Sequence, residues 1–194
     1  MKKQAKVISD EQFSLFINDL MSKSKHPERD CVIFMLSFKA GLRAQEIAGL
    51  KWSDVSLPNG DLNGEILEIP NNISKGGNGR KIPMHEDIFE ALKDYKKTFE
   101  TVEMDDNIVK GEKVNAMSPN NLQQYIRRTY IRYGLQGCSS HSGRRTLLTK
   151  MARNANQFDC SLVDVQNVAG HKFIDTTQDY LEPSDNLTKL LKAM

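Results

Sequence analysis

The sequence predicts an α+β fold, mostly α, on three observations. Apolar residues recur at helical spacing over the first part of the chain. A central stretch then changes to short alternating runs separated by glycine-rich turns. Helical spacing returns afterwards and continues to the C-terminus, so helices flank a small antiparallel sheet of three strands.

Residues 1–8 read as a basic, mobile lead-in. Ser9 and Asp10 offer an N-cap to a helix whose apolar face is Phe13, Phe16, Ile17 and Leu20. Pro27 suits the first turn of a second helix carrying Cys31, Val32, Phe34, Met35 and Phe38, and Gly41 ends it. A short helix follows through GLRAQEIAGL. KWSDVSL, GEILEIP and GRKIPM are the strands, with PNGDLNG and SKGGNG as turns. Another helix starts near Glu86 and carries Ile88, Leu92, Tyr95 and Phe99. Residues 100–117, acidic and then glycine-containing, read as a surface loop with room for a short strand. In SPNNLQQYIRRTYIRYG, Ser118 is an N-cap and Pro119 the first helical residue. Further helices follow in HSGRRTLLTKMARN and SLVDVQNVAG. The last helix, SDNLTKLLKAM, aligns Leu187, Leu190, Leu191 and Met194 on one stripe.

Bulk properties narrow the class. The 194 residues suffice for one domain with a real core. The 27 Lys and Arg against 25 Asp and Glu leave a net charge of +2, which neither demands nor excludes nucleic acid. No apolar run approaches the ~20 residues that span a membrane, and MKKQAKVIS lacks the apolar region of a signal peptide. Cys31, Cys138 and Cys160 are odd in number, widely spaced and without a CxxC, as expected of reduced thiols. Together these point to a soluble cytoplasmic domain that is not attached to a membrane.

Several polar residues sit where packing alone would not ask for them. Arg43 follows Gly41-Leu42 at a helix start, where it can present its fork to an anion; it is equally an ordinary surface arginine. Lys75 rides on the glycine-rich hairpin SKGGNG, or is simply a solvated turn lysine. His141 and Arg144, at i and i+3, can reach one phosphate from the start of a helix, or can cap it and face water. His171 after Gly170 fits C-cap chemistry as well. Tyr180 could pack its ring and leave its hydroxyl wet. Taken together they form a set: two arginines, a lysine, two histidines and a tyrosine, with no carboxylate cluster suited to metal. Such a set neutralises a phosphodiester without a cation, because arginines clamp its non-bridging oxygens. A tyrosine oxygen can then attack phosphorus, and a lysine on a flexible hairpin can protonate the leaving sugar oxygen.

Four segments carry a resemblance. GLRAQEIAGLKWSDV, SKGGNGRKIPM, HSGRRT and GHKFIDTTQDY resemble, in order and spacing, the first arginine box, lysine hairpin, His-x-x-Arg box and His-to-Tyr box of the phage-integrase family of tyrosine recombinases. The resemblance covers residues 9–183 and implies that family's catalytic-domain fold. It implies that Arg43 and Arg144 clamp the scissile phosphate, that Lys75 is the general acid, and that His141 is a phosphate ligand and acid/base partner. It further implies that His171 hydrogen-bonds the phosphate, that Tyr180 forms a 3′-phosphotyrosine, and that Glu46 orients catalytic groups. Family spacing selects Arg144 over Arg145. No ATP, metal or other cofactor is implied, and the implied partners are double-stranded DNA and further protomers, as a tetramer on DNA. Residues 184–194 would dock on a neighbouring protomer or on their own domain.

The family's N-terminal core-binding domain has no counterpart, and 1–8 look like the linker that would follow it. The sequence is thus expected to be a catalytic-domain fragment or a short recombinase similar to the fimbrial-switch invertases. The function implied is site-specific recombination of the integrase or invertase type. A non-cutting DNA-binding accessory protein of the same fold, and a type IB topoisomerase-like enzyme, are the other readings.

Overall fold

The computed structural model describes residues 4–111, 116–180 and 192. Helix α1 (Asp10–Lys23) starts at the expected cap: Ser9 Oγ accepts from the Gln12 amide, and Gln12 Oε1 accepts from the Ser9 amide. Its buried Phe16 and Leu20 pack on α2 (Pro27–Lys39), whose Val32, Ile33, Phe34 and Leu36 are fully buried. Three consecutive buried apolar residues, with a fourth two positions on, leave this thirteen-residue helix little solvent face there, so α2 is the central helix. It packs on α1, on α4 (Glu86–Lys96) and on α6 (Ser142–Asn154).

Gly41, with φ +64°, makes the turn from α2 into α3 (Ala44–Gly49). Strands β1 (Ile66–Ile69) and β2 (Arg80–Pro83) pair antiparallel, with Leu67 opposite Ile82, and turn Leu67, Ile69 and Ile82 inward. The SKGGNG hairpin joins them. Then follow α4, α5 (Pro119–Arg132, capped by Ser118), α6, α7 (Leu162–Ala169) and the single turn α8 (Asp175–Gln178).

The third strand expected at KWSDVSL is replaced. Among the described residues the sheet has two strands, and Trp52–Val55 is a 3₁₀ turn flanked by single bridges, Lys51 to Asn107 and Ser56 to Leu62. Trp52 and Val55 are both fully buried, three residues apart, which is helical and not strand spacing. The Asp54 carboxylate closes the turn by accepting from the Lys51 amide at 2.8 Å. Trp52 then packs on Tyr95 and Phe99, the latter just past the end of α4.

Two expected surface segments are also tied down. In the 100–111 loop, Ile108 and Val109 are buried, and the loop bonds back to Leu50, Trp52 and Ser53. In the lead-in, Ile8 is buried and its amide donates to Thr146 Oγ1 at 3.0 Å, while Arg145 donates to Gln4 Oε1. Residues 181–191, 193 and 194, which hold most of the expected terminal helix and its Leu187, Leu190, Leu191 and Met194 stripe, lie outside the described residues. No described helix is long and apolar enough to cross a membrane.

The approach of α6 to α2 depends on Gly143. A Cβ there would stand 2.4 Å from Ser37 Oγ and 2.8 Å from Phe38 Cδ2. Alanine would gain roughly 1 kcal/mol of helix propensity but meet an overpacking cost of about 1–3 kcal/mol. Gly143→Ala is therefore expected to lower the urea midpoint, and a raised midpoint would mean that the two helices have slack.

Candidate active site

The site is built where the ends of four elements meet. The first is the start of α3. Glu46, fully buried, accepts from the Arg43 amide at 2.8 Å and from Arg43 Nη1 at 3.0 Å, so this short helix holds its own preceding arginine. Arg43 keeps 18% of its side chain exposed, against none for Glu46, and so its outer edge is open to a ligand.

The second element is β2. Arg80 at its start donates from Nη1 and Nη2 to the two Glu46 oxygens at 2.9 and 3.2 Å, and from Nε to the Val168 carbonyl at 2.7 Å. Gly170, left-handed at φ +61°, lies so close that a Cβ would stand 2.9 Å from Arg80 Nη1. One guanidinium thereby joins α3, β2 and the end of α7. Burial alone would raise the Glu46 pKa, but the hydrogen bonds and charge of Arg80, then of Arg43, outweigh it and hold the carboxyl below its usual range.

The third is the start of α6. Arg144 is 3% exposed and donates from Nη1 to the Gly41 carbonyl at 2.6 Å and from Nη2 to the Ala169 carbonyl at 2.8 Å. Its Nη2 also meets His171 Nε2 at 2.9 Å. Burial, then the neighbouring Arg43 charge, lowers its pKa to about 10, so the cation persists at neutral pH. Arg145, the alternative arginine, instead lies over the Tyr180 ring at 5.6 Å. His141 precedes the helix without capping it: its side chain is exposed and makes no cap bond. Desolvation on its protein side, then the charges of Arg144, Arg43 and Lys75, push its pKa down.

The fourth element runs from α7 to Tyr180. Gly170 ends α7, and His171 turns back so that Nδ1 meets Thr177 Oγ1 at 2.9 Å. The His171 and Tyr180 rings stack with centroids 5.8 Å apart and planes 20° apart. Tyr180 also packs against a small cluster formed by Leu148, Ala155, Val165 and Ala169. A cavity of about 340 Å³ opens in front of it, lined by His141, Arg144, Arg145, Tyr180 and, from the lead-in, Gln4 and Ala5.

Of the residues singled out in the sequence, Arg43, Glu46, Arg144, His171 and Tyr180 thus form one connected group, with His141 at its rim. Lys75 stands apart on the exposed hairpin and makes no hydrogen bond among the described residues; it reaches the group only through its charge on His141. Sequence reasoning missed Arg80 and Thr177. Both lie inside the quoted segments GRKIPM and GHKFIDTTQDY, but nothing local says that either side chain is buried.

Burial, then the charges of Arg144, Arg43 and Arg80, lowers the His171 pKa from 6.5 to about 4. The unfolded chain therefore takes up this proton at a higher pH than the folded one. Stability is expected to fall as pH drops from about 6.5 towards 4, with His141 contributing in the same direction. The contribution of Glu46, whose folded pKa is depressed, is present above its unfolded value of about 4.5 and is lost only below that. Thermal midpoints measured across this range should slope less in His171→Asn than in the parent, and an unchanged slope would mean that His171 is not held neutral.

Known proteins resemble this chain in sequence and in fold. Residues 6–186 match the pattern of the Phage integrase family. The chain is 25% identical over 193 residues to tyrosine recombinase XerC of Corynebacterium glutamicum, covering 97% of this chain and 57% of the relative. It is 27% identical over 157 residues to tyrosine recombinase XerA of Thermococcus onnurineus, covering 79% and 50%. The chain thus spans about half the length of the curated relatives it matches. Among solved structures, the Tn1549 transposon integrase in complex with circular intermediate DNA superposes with a TM-score of 0.75 at 16% identity, over 100% of this chain and 66% of that one.

Proposed function

Because the chain belongs to the phage integrase family, we propose that it is the catalytic part of a site-specific DNA recombinase working through Tyr180. The observation that carries this reading is the meeting of Arg144, His171 and Tyr180: a buried cation, an imidazole bonded to it, and a tyrosine ring stacked on that imidazole beside an open cavity.

Arg43 and Arg144 hold the non-bridging oxygens of the scissile phosphate and stabilise the charge that develops on five-coordinate phosphorus. Three of the five N–H donors of Arg144 are engaged by Gly41, Ala169 and His171, which fixes the fork before DNA arrives and leaves Nε and one Nη1 hydrogen for the ligand. The Tyr180 oxygen attacks phosphorus, and its proton passes to His141, whose lowered pKa keeps it neutral and able to accept. The bond from phosphorus to the 5′ oxygen breaks, and the Lys75 ammonium protonates that oxygen. A 3′-phosphotyrosine and a free 5′-hydroxyl result. One phosphoester replaces another, so attack by the 5′-hydroxyl of a second strand rejoins DNA without an outside energy source. Glu46 orients Arg43.

The partner is double-stranded DNA, a reading supported by the Tn1549 integrase structure, a complex with circular intermediate DNA, and by the XerH site-specific recombinase structure, bound to difH substrate. Further protomers complete the assembly. The deciding experiment uses a nicked duplex carrying the end sequence of the mobile element itself, from which the cleaved strand diffuses away. Denaturing gels should then show a covalent protein–DNA adduct. Stable binding of that duplex without any adduct would favour the non-cutting accessory protein instead.

A further inference from the structure

We propose that Thr177 is a positioning residue whose hydroxyl lets His171 move its ring proton from Nδ1 to Nε2 when a phosphate takes the place of Arg144 on that nitrogen. The inference rests on the phosphate-site reading above and goes beyond it to the state of one proton.

The resting state follows from donor counting. A guanidinium has donors and no acceptor, so the 2.9 Å contact from Arg144 Nη2 requires a lone pair on His171 Nε2. The single ring proton of a neutral imidazole must then sit on Nδ1, where Thr177 Oγ1 accepts it at 2.9 Å. A doubly protonated ring would set N–H against N–H, in keeping with the strong lowering of the His171 pKa. The tautomer is thus assigned by its partners.

A phosphate oxygen makes the opposite demand. It accepts only, so His171 can bond it from Nε2 only by carrying the proton there. A neutral ring meets both demands in turn if one proton leaves Nδ1 and one is taken up at Nε2. The count is unchanged, and water reaching the half-buried ring carries the proton. Nδ1, now bare, needs a donor. Thr177 is fully buried, so water cannot readily substitute for it. A hydroxyl can both accept and donate by rotating. A carboxylate or carbonyl at this place would lock the proton on Nδ1, and a methyl would leave Nδ1 unpaired in either state.

The same residue also holds the turn that carries the nucleophile. Its amide donates to the Ile174 carbonyl at 2.7 Å, and its carbonyl accepts from the Tyr180 amide at 3.1 Å. The His171 ring and the Tyr180 backbone therefore share one anchor.

The test is nitrogen-15 NMR of the imidazoles in the full chain, with and without inorganic phosphate, for the parent, Thr177→Ser and Thr177→Val. Without phosphate, the parent should carry its His171 proton on Nδ1. With phosphate, the proton should appear on Nε2 in the parent and in Thr177→Ser, and should not move in Thr177→Val. The valine variant should also form the Tyr180 adduct about tenfold more slowly, and serine should restore the rate. If valine unfolds the chain, Thr177→Ala replaces it against the same serine control. Exchange in the valine or alanine variant as complete as in the parent would overturn the role of Thr177. If phosphate perturbs the Arg144 signals while the ring stays protonated at Nδ1, the exchange is wrong and the phosphate site stands. If phosphate moves neither Arg144 nor His171, the phosphate site itself falls, and the exchange with it.

Discussion

Tyr180→Phe is expected to abolish covalent adducts with DNA while leaving the fold and DNA binding almost unchanged. Losing an enzymatic nucleophile costs on the order of 10⁴-fold or more in rate. The ring has its own supports, which phenylalanine keeps: the stack on His171, the Arg145 guanidinium over its face, and the Leu148–Val165 cluster behind it. One hydroxyl is lost, worth no more than about 1 kcal/mol of stability. No other tyrosine is placed to substitute. Tyr130 is fully buried, with its pKa well above the usual value because burial disfavours the phenolate. Burial, then the hydrogen bond to Asp30, pushes the Tyr125 pKa up to about 12, and its hydroxyl donates to Asp30 at 2.6 Å. The Tyr133 hydroxyl is buried. Adducts persisting in the phenylalanine variant on denaturing gels would remove Tyr180 from the mechanism, and a large fall in thermal midpoint would make it a packing residue.

Lys75→Ala and Arg144→Ala should both slow cleavage severely and should part company on a modified substrate. A 5′-bridging phosphorothiolate leaves as a thiolate and needs no proton. It should largely restore Lys75→Ala, because Lys75 is an exposed hairpin residue whose proposed role is to supply that proton. Arg144→Ala should stay inactive, because charge stabilisation at phosphorus is needed whatever group leaves. Arg144→Ala should also melt lower, since it strands the carbonyls of Gly41 and Ala169 in the interior, at about 1–3 kcal/mol for each unpaired group. Lys75→Ala strands nothing and should melt with the parent. Equal rescue of the two variants by the phosphorothiolate would defeat the division of labour.

The sequence announced the helices through their caps and periodicity: Ser9, Pro27 and Ser118 stand where helices start, and Gly170 where one ends. Arg43, Arg144, His171 and Tyr180 were visible as polar residues in places where packing does not ask for them, and Glu46 only through the family resemblance. What escaped was settled by long-range burial. Trp52 and Val55 alternate poorly with their neighbours, and only the ring contacts with Tyr95 and Phe99 decide that the segment turns. Arg80 looked like one more charge at a strand start, until Glu46, 34 residues earlier, took both ends of its fork. Thr177 was one of two adjacent threonines, and a three-dimensional contact with His171 distinguishes it from Thr176. Residues 1–8 read as loose because Lys2, Lys3 and Lys6 dominate their composition and hide the anchor at Ile8.

The supports of Arg144 come from both ends of the chain: the Gly41 carbonyl lies 103 residues before it, and the Ala169 carbonyl 25 residues after. In order of synthesis, the first support precedes the arginine and the second follows it. The tyrosine follows eleven residues after that second support, since 180 minus 169 is 11. A chain cut before residue 169 thus lacks one support of the proposed clamp and the proposed nucleophile as well. Under the proposed mechanism, any fragment that stops short of Tyr180 carries no attacking oxygen, whatever else of the fold it retains.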